Sequence, residues 1–115
     1  MVKLVADKLP KVSRFIRDDQ HFAAIFSALG EPTRVRIMEM LPREAICHDM
    51  YNVIELAEEL GLTQPTVSHH LKLLREAGLV ESRRQCNSVY FYVNQPVVRA
   101  WLDEVRERFG CGSGS

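Results

Sequence analysis

Residues 52–78 read NVIELAEELGLTQPTVSHHLKLLREAG. The order of caps, apolar positions and glycines here specifies two helices joined by a sharp turn. Asn52 is a good N-cap, and Glu55 three residues on completes what is close to a capping box. Gly61 stands where a helix must leave in a left-handed conformation. Thr63 is the next N-cap, and Pro65 is tolerated in the first turn of the helix it opens. Gly78 ends that second helix. Ala57 lets the two helices approach closely, and Val67 packs the second back on the first.

Downstream, LVESRR and SVYFYV flank Gln85-Cys86-Asn87. Val89, Phe91 and Val93 alternate with Tyr90 and Tyr92, the period of a strand, and Asn87 tolerates positive φ at the tip. A β-hairpin is expected. Asn94 then caps a last helix with Pro96 in its first turn. Its apolar stripe is Val98, Leu102, Val105 and Phe109, widened by Trp101. Upstream, Phe22, Ile25, Phe26 and Leu29 share one face of a long helical region that Gly30 stops. Pro32 fits the start of a second helix, which Pro42 ends, and a loop runs on through Cys47. The expected order is α-α-α-α-β-β-α, mainly α with a β-hairpin wing. This is a winged helix-turn-helix, read as a single domain over 1–110 with a flexible tail, CGSGS, over 111–115.

Composition is consistent with a cytoplasmic globular domain. The chain has 115 residues with 46% hydrophobic content and no long uncharged apolar run, so no transmembrane span is expected. The N-terminal MVKLVADKLPKVSRFIRDD carries charge every few residues and does not resemble a signal peptide. Cys47, Cys86 and Cys111 are odd in number and far apart, which favours reduced thiols over a disulfide framework. Net charge is +0, yet it is unevenly placed. Residues 42–68 hold Arg43 against Glu44, Asp49, Glu55, Glu58 and Glu59. Residues 69–94 hold Lys72, Arg75, Arg83 and Arg84 against Glu76 and Glu81. A nucleic-acid binder needs positive charge only where it meets phosphate, so neutrality does not exclude DNA. The basic residues Lys8, Lys11, Arg14 and Arg17 recur every three positions, the pattern of a solvated helix face.

At about 100° per residue, Val67, Leu71 and Leu74 of the second helix point to the core. Gln64, Ser68, Lys72 and Arg75 share another flank, with His69 at its edge. Short hydrogen-bonding side chains at a helix N-terminus suit base edges in a major groove, and Lys72 and Arg75 suit phosphates. Arg83 and Arg84 on the wing extend the same surface. His70, beside Leu74, reads as a satisfied semi-buried histidine. No Gly-rich phosphate loop, nucleophile–base set or paired carboxylates point to catalysis. A helix-turn-helix used for protein contacts alone is the competing use of this surface.

ALGEPTRVRIMEML, NVIELAEELGLTQPTVSHHLKLLREAGLVESRRQ and SVYFYV together resemble the ArsR/SmtB family of bacterial winged-helix repressors, over about residues 22–93. The resemblance implies a homodimer built on the first and last helices, and repression by binding double-stranded operator DNA until an effector releases it. It places Gln64, Pro65, Ser68 and His69 at DNA-contacting positions. With Thr66, Lys72, Arg75, Arg83 and Arg84 they form the candidate DNA-contacting set. The candidate dimer face is Phe22, Phe26, Val98, Trp101, Leu102, Val105 and Phe109. Such wide apolar faces on the terminal helices exceed what one small core needs, the alternative being packing within the monomer.

The family's usual metal patterns are absent. A Cys-x-Cys at the start of the helix before the turn would fall near Asn52 and Ile54. Asp and His ligands early in the last helix would fall where Asn94, Gln95 and Pro96 stand. What remains is Cys47, His48, Asp49, Cys86, Cys111 and His21. Thiolates favour As(III) and other thiophilic metal ions over hard cations. Cys47 and His48 precede the helix-turn-helix, and Cys111 follows the last helix, so these three form the candidate metal set. For Cys47 and His48 the alternative is an inert loop, and for Cys111 a tail thiol. Cys86 at the wing turn reads as a turn residue or redox-sensitive thiol. Three inputs stay open: a thiophilic metal or metalloid, oxidation or persulfidation of Cys47 and Cys111, and no ligand at all.

Overall fold

A computed structural model describes residues 15–43 and 50–110. Its elements are α1 (Asp19–Leu29), α2 (Pro32–Met40), α3 (Val53–Leu60), α4 (Gln64–Glu76), β1 (Val80–Gln85), β2 (Ser88–Val93) and α5 (Gln95–Phe109). The expected order α-α-α-α-β-β-α is the observed one.

Local chemistry sets each boundary. The expected long first helix is interrupted at Asp18, whose extended backbone and carboxylate form an N-cap: Oδ1 accepts from the amides of Gln20 at 2.9 Å and His21 at 3.3 Å. Residues 15–17 are helical before the break. A short carboxylate satisfies orphan amides that would otherwise need another helical turn, so Asp18 starts a new helix within the apolar pattern. Glu31 caps α2 in the same way, accepting from Thr33 and Arg34, with Pro32 at the first position. Pro42 does end α2, but through its neighbour: Leu41 is driven to ψ 143, as the residue before proline is.

α3 carries the complete capping box. The Glu55 amide donates to Asn52 Oδ1 at 2.8 Å, and the Asn52 amide donates to Glu55 Oε1 at 2.9 Å. Gly61 leaves α3 at φ 67, ψ 33, and the Leu62 amide closes the turn on Ala57 O at 3.0 Å. Thr63 caps α4 through Thr66. Asn94 caps α5 through Val97.

The hairpin is antiparallel and runs from Val80↔Val93 to Gln85↔Ser88. Gln85 is therefore in the ladder rather than in the turn. Cys86 at φ 50 and Asn87 at φ 67 form a two-residue connection with both central residues left-handed, as a type I′ turn requires. The free edge of β2 is covered. Its Phe91 amide donates to Tyr51 O at 3.1 Å, and its Val93 amide to Pro42 O at 2.8 Å. The strand edge thus holds both sides of the α2–α3 connection and is not left open.

Ile16, Ile25, Ile37, Leu56, Val67, Leu71, Leu74, Leu79 and Val80 are the side chains most completely removed from water. They come from the segment before α1, from α1 to α4 and from the start of the hairpin, and α4 supplies the most. This is why the outer face of α4 can be polar along its whole length.

Candidate nucleic-acid interface

α4 divides cleanly by face. Val67, Leu71 and Leu74 are buried, at 0%, 2% and 0% exposure. Gln64, Pro65, Thr66, Ser68, His69, Lys72 and Arg75 are all exposed. Thr66 Oγ lies 2.9 Å from Thr63 Oγ, so its hydroxyl already serves the cap. A groove of about 520 Å³ runs between α4 and the hairpin, lined by Ser68, Lys72 and Arg75 from α4 and by Val80, Glu81 and Phe91 from the strands. Two carboxylates, Glu76 and Glu81, share it with the two cations. Glu81 is further held by Asn94 Nδ2 at 3.1 Å.

The two wing arginines do not form one patch. Successive strand residues point to opposite faces. Arg84 pairs with Val89, on the face that also carries the buried Val80, Phe91 and Val93. Arg83 pairs with Tyr90 on the opposite face, with Glu81. Both are exposed, but only one of them can extend a given side of the wing.

His70 is satisfied, as expected, though by partners that residue spacing gave no sign of. Its side chain is 13% exposed, and its Nδ1 lies 3.2 Å from a terminal nitrogen of Arg34 and 3.8 Å from Glu31 Oε2. The Glu31 carboxyl is held below the ordinary carboxylate value. Burial acts to raise it, and is outweighed by the amides of Thr33 and Arg34 together with His70 and Arg34. His69 is exposed and has its ring centroid 6.1 Å from that of His70.

The candidate dimer residues separate by exposure. Phe22, at 6%, already belongs to the core of one chain, because α5 lies directly over it. Trp101 Nε1 donates to Phe22 O at 3.3 Å, and the Arg108 guanidinium stacks 4.1 Å over the Phe22 ring. Arg108 also binds Glu104 at 2.7 Å and Asp19 at 2.8 Å, bonds that raise its already high pKa. Val98, Trp101 and Val105 are partly buried against the core. Phe26, Leu102 and Phe109 remain exposed, at 40%, 47% and 62%. Phe26 sits with its ring 4.9 Å from Trp101 and 6.0 Å from Phe109.

Cys47, His48, Asp49 and Cys111 lie outside the described residues. Cys86 is exposed on the wing turn. His21 packs 3.9 Å from the Phe15 ring, with Nδ1 3.5 Å from Asp18. Among the described residues no group of three or more His, Cys, Asp or Glu side chains could hold a metal ion, and no helix is long and apolar enough to cross a membrane.

Residues 31–82, which span α2 to the middle of β1, match the bacterial regulatory protein family arsR. An uncharacterized HTH-type transcriptional regulator of Methanocaldococcus jannaschii is 38% identical over 86 residues, covering 74% of this chain and 91% of that protein. The chain belongs to the ArsR family. Members of this family are DNA-binding transcriptional regulators, not enzymes. The arsenic resistance transcriptional regulator ArsR1 of Pseudomonas putida is 39% identical over 80 residues, 69% of this chain and 58% of that protein. The chain thus spans little more than half of that relative. A homodimeric winged helix-turn-helix DNA-binding domain from Mycobacterium bovis superposes at a TM-score of 0.60 with 26% identity, over 77% of this chain and 80% of that one. The winged helix-turn-helix assignment holds on both sequence and shape.

Proposed function

We propose that this ArsR-family chain is a homodimeric repressor that lays α4 in the major groove of operator DNA and lets go when an effector binds. The observation that carries the reading is the fully exposed polar face of α4 beside the hairpin groove. Gln64, Pro65, Thr66, Ser68 and His69 stand at the end of α4 that suits base edges, and Lys72 and Arg75, with either Arg83 or Arg84 from the wing, suit phosphates. Phe26, Leu102 and Phe109 supply exposed apolar area for the second subunit. The Mycobacterium bovis domain, described as homodimeric, supports a dimer.

The test uses a duplex selected by the wild-type protein from a random-sequence library. Affinity should fall with a steep log–log dependence on salt. Gln64→Ala with Ser68→Ala should reduce preference for the selected duplex by at least tenfold, at about 1–3 kcal/mol per lost base contact. Unchanged affinity in that double variant means that α4 does not read the bases.

For the effector, we propose a thiophilic metal or metalloid such as As(III), taken by Cys47 with His48 and Cys111. Support comes from the soft thiolate chemistry of the set and from the arsenic resistance role in the name of the Pseudomonas putida relative. As(III) should release the reduced protein from DNA, and Cys47→Ser should abolish that release. Release unchanged in Cys47→Ser removes the loop from the mechanism. The exposed thiol of Cys86 on the wing favours one second reading, release by oxidation or persulfidation. Peroxide or polysulfide in place of As(III) distinguishes the two.

A further inference from the structure

Three helices meet around one guanidinium. Arg34 is the third residue of α2, in the first turn, where the helix dipole presents its positive end and disfavours a cation. Its side chain serves other helices instead. Nε donates to Ala28 O at 2.6 Å, and a terminal nitrogen approaches His70 Nδ1 at 3.2 Å. Ala28 O is among the last four carbonyls of α1, which have no partner inside their own helix. The residue four further on, Pro32, has no N–H to offer, and the last turn of α1 contains no basic residue. A guanidinium only donates, so in this contact His70 Nδ1 is the acceptor.

We infer that Arg34 and His70 are positioning residues that hold α4 in a defined rotation against the last turn of α1; this rests on the reading of α4 as the DNA-contacting helix. The apolar contacts of Val67, Leu71 and Leu74 hold α4 down but are non-directional. A hydrogen bond accepted at a half-buried edge of α4 is directional, and it fixes the fine rotation of the face that the apolar stripe turns outward. α1 also carries Phe26 of the proposed dimer contact. The Ala28–Arg34–His70 link therefore sets each reading face relative to the dimer axis, on which the spacing of two half-sites depends.

The experiment compares full-length wild type, His70→Leu, which keeps bulk but has no acceptor, and His70→Gln, whose amide oxygen can accept from Arg34. The probes are the duplex selected by the wild type and a random duplex of equal length, titrated over a range of salt, with thermal melting alongside. His70→Leu should lose about tenfold in affinity for the selected duplex, roughly the effect of one mismatched base pair. Its affinity for the random duplex, its salt slope and its melting temperature should stay near wild type. His70→Gln should return to within about threefold of wild type. Three results would overturn the inference: preference intact in His70→Leu, a salt slope reduced by about one as for a direct phosphate contact, or His70→Gln as weak as His70→Leu. A wild type with no salt-dependent DNA preference overturns the DNA reading as well, whereas an intact preference in His70→Leu overturns the positioning alone.

Discussion

Single residues decide where helices begin, and most of them announce themselves. Asn52, Thr63 and Asn94 are recognisable caps because short polar side chains compete for orphan amides. Asp18 and Glu31 do the same work less visibly. Asp18 lies inside a run with continuous helical apolar spacing, and glutamate is not among the strongly preferred caps. Glu31 also links stability to pH. Its carboxyl titrates lower in the folded chain than unfolded, so the unfolded state takes up the proton first. The stabilisation is full above the ordinary carboxylate range and is lost as pH falls through the folded value. Urea midpoints of wild type and Glu31→Gln should differ most near neutrality and converge as pH drops from about 6 to about 3. A constant difference across that range would show that the carboxylate charge is not responsible.

At the scale of elements, α3 is only eight residues long and depends on its ends. Isolated helices of that length are marginal in water, so α3 relies on packing of Leu56 and Ala57 and on the reciprocal bonds between Asn52 and Glu55 at its start. Asn52→Ala should cost about 0.5–2 kcal/mol, read from the urea midpoint. A loss below a few tenths would mean that burial of Leu56 and Ala57 suffices. The hairpin shows the limit of element-level reading. Its strands and tip were legible from alternation and from Asn87. The separation of Arg83 from Arg84 follows from the same alternation, and becomes clear only once pairing shows which face is buried. The left-handed conformation of Cys86 had no signal, because cysteine has no preference for it and the two-residue loop length imposes it.

In the whole molecule, α5 returns across α1, and this decides which apolar residues are left for a partner. Phe22 is covered by Trp101 and Arg108. Phe26, Leu102 and Phe109 are not covered. Leu102→Glu with Phe109→Glu should therefore shift the chain to monomer in sedimentation equilibrium, with DNA affinity falling in parallel, because burying two unpaired carboxylates at an interface is costly. Folding of the monomer should persist, since neither side chain is in its core. A dimer of unchanged stability would place the second subunit on another face.

Local sequence alone determined the order of elements, the caps at Asn52, Thr63 and Asn94, the turn at Gly61 and the division of α4 into a buried and a polar face. These depend on neighbours within a few residues, whose spacing is written in the chain. Tertiary structure alone decided that Arg34 meets His70 across 36 positions, that Glu81 shares a groove with Lys72 and Arg75, and that Phe22 is lost to the core while Phe26 is not. Such contacts arise where separate helices and strands are brought together by the burial of a common apolar core. Burial is non-directional, so no periodicity along the chain records which polar groups it brings into contact.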